Sequence, residues 1–434
     1  MMVSNIKLRK VLNDLKRRPE DAAKDLKISV TKINNILSNK SKLDFKTISR
    51  AVKIWPINYG DFFSFYDDAK LGFKIMRHNE SEKSKRIMKR GGKPYYLYKD
   101  TVMSKLSPFR PELITELEVV ANDSPKNSKV RFNNGHFLHQ FTYFIGPVNF
   151  YYIEKNKKKV AKMNTGDSMY ISPYVCHSFT TRKNKKKLLG KILALTYSDK
   201  LDNETLNEIT ALGFNITKKY KINLKDHKTA FWSNIENFFK NSSITFKEFK
   251  RNTSIDLDKI KKSKKIPSEK IIKKISHNLK LNYRDLFPPN NALEVKIQKY
   301  SNCKNWFYPS MKKKDYLFKE LTNIPQLPFS RGYELTLLNE KKHKSFLDVP
   351  SHQYIYNLGT TKINFIINGK KGYLNPSDSI YIKPNNKHIF YKKGKLLILR
   401  LGGRISGDSL YQLSMISEKN LKKTIDDNRP WFNK

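Results

Sequence analysis

The chain has 434 residues, 38% hydrophobic and 12% aromatic, enough apolar material for more than one buried core, which excludes a disordered polymer. Its 86 Lys and Arg against 39 Asp and Glu give a formal charge of +47, which reads either as phosphate neutralisation on a nucleic acid or as lysines spread over solvated surface, whose field also favours small anionic substrates. Two cysteines, Cys176 and Cys303, give no disulfide framework, no apolar run reaches bilayer length, and Met1–Lys10 is charged, so a reducing cytoplasm is the expected compartment, with no membrane partner.

In chain order, residues 6–17, 20–27, 29–38, 43–54 and 58–64 place Leu, Ile, Val and Phe at three- and four-residue spacings, the period of amphipathic helices. Ser29 and Asp44 suit N-caps, and Pro19 suits a first helical turn. Five short helices with a tight turn before Ser29–Ser38 look like a helix-turn-helix module. From residue 67 the pattern turns to strands: Phe141–Ile153, Ser168–Ile171 and Ile192–Tyr197 are β-branched or aromatic-rich and bounded by Gly, Pro, Asn or Lys. The runs Lys157–Lys159 and Lys185–Lys187 are expected at hairpin tips. Helical periodicity returns over 230–287, with Ser268 as the cap before Ile271, Ile272 and Ile275, and strands return at Lys362–Ile367 and Leu396–Leu401.

This alternation is a duplication. Ile57-Asn58-Tyr59-Gly60-Asp61-Phe62-Phe63 recurs as Leu281-Asn282-Tyr283-Arg284-Asp285-Leu286-Phe287, and Tyr96-Leu97-Tyr98-Lys99 as Tyr316-Leu317-Phe318-Lys319. His139-Gln140 recurs as His352-Gln353, and Asp167, Tyr170, Pro173 and His177 recur as Asp378, Tyr381, Pro384 and His388. The expected fold is α+β, an all-helical helix-turn-helix-like unit followed by an antiparallel barrel, present twice. The segments are 1–66 helical, 67–200 barrel, 201–229 linker, 230–292 helical, 293–405 degenerate barrel and 406–434 C-terminal.

Chemistry concentrates between Asn133 and His177. If Asn133–Gln140 is a strand, residues four apart share a face, so His136 and Gln140 point together and His139 points away. His177, from a later strand, can complete two imidazoles and one amide oxygen on three corners of an octahedron, a variant of the facial triad of non-haem iron(II) oxygenases. The alternative is ordinary interior histidines with a hydrogen-bonding Gln140. In the second copy Val349 replaces His136, while Gln353 and His388 remain, so that copy is expected to hold no metal. Arg90, Tyr98 and Asn133 align there with Ser310, Phe318 and Phe346, so groups able to hold an oxyanion occur only in the first copy. Cys176, beside His177, is expected to face away as a buried thiol.

The Gly166-Asp167…Tyr170-Ile171…Pro173…His177 stretch resembles the second motif of cupins. Together with Asn133-x-x-His136, and Arg90 followed eight residues on by Tyr98, it resembles the cupin phosphonate oxygenases. That resemblance spans nearly the whole chain and is nearest the members that cleave hydroxyethylphosphonate. It implies Fe(II) on His136 and His177, with Arg90, Tyr98 and Asn133 on the phosphonate. It also implies a substrate contact from Lys16, in the first helix, within its own subunit or from a neighbour, in a homo-oligomer. The dioxygenase branch carries a glutamate ligand six residues before the final His; here that position is Ile171, which leaves Gln140 as third ligand and Ile171 as the residue that tilts the product branch. The implied reaction cleaves the C–C bond of 2-hydroxyethylphosphonate with O2, giving methylphosphonate and bicarbonate or CO2. The other branch gives hydroxymethylphosphonate and formate. A DNA-binding regulator with a ligand-sensing barrel and a non-redox isomerase or epimerase are the rival functions. No specific nucleic-acid partner is expected, despite Thr31, Lys32, Asn34 and Asn35 on the candidate recognition helix.

Overall fold

The N-terminal apolar spacing is realised as four α-helices, Asn5–Asp14, Pro19–Leu26, Val30–Leu37 and Phe45–Ile54, and a 3-10 turn at Tyr59–Phe62. The computed structural model describes residues 2–3, 5–197, 201–224, 226–288 and 293–426; position 225 of the expected linker, 289–292 and the last eight positions of the C-terminal segment lie outside them. Leu8, Leu26, Ile33, Ile36, Ile48 and Phe62 have no exposed surface and form the core of these helices. The Ser29 hydroxyl accepts from the Lys32 amide at 3.1 Å and Asp44 from the Thr47 amide at 2.7 Å, each cap stabilising its helix by about 1 kcal/mol. Lys27, at φ 50°, reverses the chain between the second and third helices. These helices, residues 103–107 and the segment from Arg404, with helices Asp408–Ser414 and Glu418–Asp426, form one compact unit.

The other unit, residues 75–102 and 108–403, holds the remaining sheets and helices. Its first large sheet runs in the order Val295–Gln298, Ser168–Ile171, His139–Ile145, Lys191–Tyr197, Phe109–Glu116, Lys93–Asp100, Arg86–Arg90. A smaller sheet of Lys157–Met163, Val148–Glu154, His177–Arg182 and Val119–Val120 faces it. Phe144, Ile171 and Ile192 from the large sheet meet Val148, Phe150 and Phe179 from the small one in a dry core. The second half repeats this with Asn305–Pro309, Lys314–Glu320, Ser330–Leu337, Gly394–Leu401, His352–Asn357 and Ser379–Ile382 in order, faced by Lys370–Leu374, Ile363–Ile367 and His388–Tyr391.

Four local expectations are corrected. Phe141–Ile153 is two strands, because Gly146 (φ 85°) and Pro147 break the run. Lys157–Lys159 lie inside a strand, paired with Glu154, Ile153 and Tyr152; the hairpin tip is Lys155-Asn156, both at positive φ as a type I′ turn requires. Ser268 stands at the N-cap of Glu269–Asn278 but its hydroxyl makes no cap bond. Cys176 precedes its strand and is half-buried.

Two repeated aspartates tie the halves reciprocally. Asp167 accepts from the Tyr300 amide and the Lys299 ammonium, both at 2.9 Å, and Val295–Gln298 of the second half thereby extends the first half's sheet against Ser168–Ile171. Asp378 accepts from the His78 amide and the Arg77 guanidinium of the first half, both at 2.7 Å. Between the halves, Tyr143 and Tyr300 donate to the two oxygens of buried Glu334 at 2.7 Å each. Phe141 packs where any side chain at Gly332 would stand.

Candidate metal and anion site

Asn133–Leu138 is irregular, not strand; the strand starts at His139. The loop still delivers His136. Gly135, at φ 73°, sits against the Tyr174 backbone where a Cβ would clash at 2.6 Å, and the Tyr174 amide donates to His136 O at 2.8 Å. The imidazole Nδ1 lies 2.9 Å from Leu138 O, and Nε2 lies 3.0 Å from Gln140 Oε1. The Gln140 amide nitrogen donates to Thr142 Oγ1 at 2.8 Å, which turns Oε1 toward His136. With Nδ1–H committed to the carbonyl, two lone-pair atoms face each other. Their separation is that of adjacent corners of an octahedron with bonds of about 2.1 Å.

His177 opens its strand, buried, its ring edge-on to His136 with centroids 5.2 Å apart. Its Nδ1 is 2.8 Å from Val175 O, leaving Nε2 as the lone-pair nitrogen. Burial first, then the neighbouring His136 and Arg90, lowers its pKa to about 3 against the opposing Val175 bond, so it is neutral, the form that ligates. Asn133 Oδ1 accepts from the His177 and Gly135 amides, and Nδ2 lies 3.1 Å from His177 Nε2. Among the described residues no three His, Cys, Asp or Glu side chains gather for a metal; what gathers is two imidazoles and an amide oxygen, a donor set that suits a divalent transition ion.

These groups wall a cavity of about 100 Å³ together with Arg90, Tyr98, Glu112, Thr196 and apolar side chains. The Arg90 guanidinium lies 4.8 Å from the Tyr96 ring centre and donates to Arg131 O. Tyr98 is raised to about 12, by burial and then by Glu112 and Glu116, so its hydroxyl stays a proton donor. Ile171 pairs directly with Gln140 across the sheet and is wholly buried. Lys16 belongs to the other unit; it lies beyond the first helix, not in it, exposed and at φ 54°. His139 turns away, bonded to the Tyr170 hydroxyl at 2.6 Å and stacked on Tyr170 and Tyr197.

In the second half the position opposite Gln353 is Arg400, where Thr196 stands opposite Gln140. Arg400 Nε donates to Gln353 Oε1 at 3.3 Å, and His388 Nε2 lies 3.5 Å from the Gln353 amide nitrogen. The backbone bond of Asn133 to His177 O is made there by Leu347 to His388 O, one residue beyond the Phe346 expected from sequence.

Sequence reasoning missed Glu112, Glu116 and Arg86. Glu112, Ile114 and Glu116 alternate along Phe109–Glu116, and acidic residues on the inward face of an apolar strand were the available signal. Glu116 is fully buried with neither oxygen hydrogen-bonded, and burial holds its pKa far above the usual carboxylate range.

Paired sheets enclosing a two-histidine, one-amide pocket define a small-molecule site inside a barrel of the cupin kind. No family model matches the chain. It is 44% identical over 432 residues to methylphosphonate synthase of Nitrosopumilus maritimus (strain SCM1), covering 97% of this chain and 94% of that one. Over 104 residues it is 30% identical to (S)-2-hydroxypropylphosphonic acid epoxidase of Streptomyces wedmorensis, 24% of this chain and 49% of that one. The solved structure of Streptomyces albus HEPD with 2-hydroxyethylphosphonate and Fe(II) bound superposes with a TM-score of 0.93 at 31% identity, over 99% of this chain and 98% of that one. The chain belongs to the methylphosphonate synthase family.

Proposed function

We propose that the protein is an iron(II)-dependent oxygenase that cleaves the C–C bond of 2-hydroxyethylphosphonate with O2, giving methylphosphonate and bicarbonate or CO2. The observation that carries this is the 3.0 Å approach of His136 Nε2 to Gln140 Oε1, beside neutral His177, in a cavity walled by Arg90, Tyr98 and Asn133. Kinship with methylphosphonate synthase and the likeness to HEPD support the same reading.

His136, Gln140 and His177 would hold the metal, which supplies activation of oxygen when bound. The chain's own residues bind and orient the substrate. Arg90 offers its remaining N–H donors to phosphonate oxygens, and Tyr98 offers a hydroxyl that stays protonated. Asn133 Nδ2 lies against His177 Nε2 and, with that nitrogen on the metal, would be free to donate to a phosphonate oxygen. Lys16 adds a cation from its own or a neighbouring subunit of a homo-oligomer. Ile171 keeps the wall beside Gln140 apolar and offers no carboxylate to the metal. The architecture is read as a tandem duplication of a helix-turn-helix-like unit and a cupin barrel. Its first half, 1–200, bears the site, and Arg400 occupies the core of the second.

Anaerobic loading with Fe(II), then 2-hydroxyethylphosphonate and O2, read by phosphorus NMR, tests this. A methylphosphonate signal is expected. Hydroxymethylphosphonate would reverse the product branch, and absence of turnover would overturn the reading.

A further inference from the structure

Glu112, in the cavity wall, belongs to an ion set that the phosphonate reading leaves without a task. Arg86 stands opposite Tyr98 in one strand pair, and Asp100 stands opposite Glu112 in the next. Arg86 Nη1 donates to Asp100 at 2.6 Å, its Nη2 donates to Glu112, and its guanidinium carbon lies 5.4 Å from the Tyr98 ring centre. Among the described residues the Tyr98 hydroxyl has no hydrogen-bond partner, and Tyr98 lines the cavity that Glu112 also walls.

The second half is an internal control. The same strand registers put Trp306 at the place of Arg86, Phe318 at that of Tyr98 and Tyr333 at that of Glu112. There the three side chains form an aromatic cluster: Trp306 stacks on Phe318 at 5.8 Å, and Tyr333 meets both edge-on at 5.9 and 5.5 Å. The fold is thus satisfied by three rings at these positions, and a half-exposed ion set contributes little stability in their place. The polar set is found in the half where the central ring carries a hydroxyl.

We propose that Arg86 and Glu112 are positioning residues for Tyr98: their ion pair, anchored on Asp100, fixes the phenol ring with its hydroxyl aimed at the phosphonate and so sets substrate affinity. The inference rests on the assignment of Tyr98 to phosphonate binding. Arg86 caps the ring on the solvent side, and Glu112 holds the guanidinium over it. Inward, the ring packs against the apolar core and meets Tyr96 edge-on at 6.0 Å, contacts that carry no charge to fix its tilt.

The test is a double-mutant cycle on the Fe(II)-loaded protein, with 2-hydroxyethylphosphonate binding measured anaerobically by calorimetry and turnover measured separately. Y98F should weaken binding about tenfold, the loss of one hydrogen bond to a charged acceptor. R86M and E112Q should each weaken it at least about threefold, yet add nothing in the Y98F background. In turnover the loss should fall on KM, with kcat held, whereas a loosened barrel lowers both. The triple variant R86W/Y98F/E112Y, which copies the second half's cluster, should stay folded and bind as Y98F does. Equal losses from R86M or E112Q in both backgrounds, or no loss from either, would overturn the proposal. Wild-type affinity in Y98F would instead remove the Tyr98 assignment on which it stands, and the positioning role with it.

Discussion

Replacing Thr142 by Val removes one hydroxyl and almost no volume from the strand that carries Gln140. Thr142 is wholly buried and Gln140 is 4% exposed, so no water replaces the 2.8 Å bond from the amide nitrogen. That bond holds the amide with Oε1 facing His136. Without it a buried N–H is left unsatisfied, at a cost of about 1–3 kcal/mol, and the amide can turn to donate to His136 Nε2 instead. In the turned state the oxygen is no longer offered to the cavity. Metal affinity should therefore fall by about 5- to 150-fold, the same 1–3 kcal/mol read as a binding ratio. The assay is anaerobic Fe(II) or Co(II) competition against a chelator. The denaturation midpoint of the metal-free protein serves as the control for folding. Affinity within about twofold of wild type would refute the reasoning, because Oε1 would then be held by something other than Thr142 or would not ligate.

Glu334→Leu leaves the Tyr143 and Tyr300 hydroxyls without their shared acceptor; equilibrium urea unfolding should show a loss of about 3 kcal/mol or more. Gly190→Ala puts a methyl 2.5 Å from Val148 and 2.9 Å from the Pro147 carbonyl, and a loss of about 1–3 kcal/mol should appear as a lower Tm. Bonds from Lys85 and Lys99 hold Glu82 down at about 2 against 4.5 ordinarily, so its contribution is complete above about pH 4.5 and is lost as pH falls toward 2. Glu82→Gln should accordingly lose less stability than wild type between about pH 5 and 3, with denaturant midpoints as the readout. Ile171→Glu sets a carboxylate beside Gln140, and phosphorus NMR should then detect hydroxymethylphosphonate; methylphosphonate alone would free Ile171 of the product branch.

The helices were legible wherever a cap and an apolar stripe coincided, as at Ser29 with Ile33 and Ile36, because both signals are local. Strand limits were not, since Gly146 and Pro147 interrupt a run whose composition reads as continuous β. His136 and Gln140 were paired by a strand rule that does not hold at His136. What brings them together is the Gly135 turn against Tyr174, a contact across 39 residues that no periodicity encodes. Gln140 was recognisable through its repeat, Gln353, and through the loss of His136 at Val349. Glu112 and Arg86 were hidden because an ion pair across two strands has no sequence spacing of its own.

The exchange of Asp167 and Asp378 partners has a consequence for how such a chain can change over time. Val295–Gln298 borders Ser168–Ile171, and Ile171 borders Gln140, so a strand from the second half lies two strands from the candidate site. The first half in turn fastens the second through Arg77 and His78. Each half is part of the other's hydrogen-bonded frame, and deleting the second would bare the strand Ser168–Ile171 of the first. A change of side chains inside one half is thereby separated from loss of the half itself. The half with Val349 at the place of His136 holds its tenure as structure.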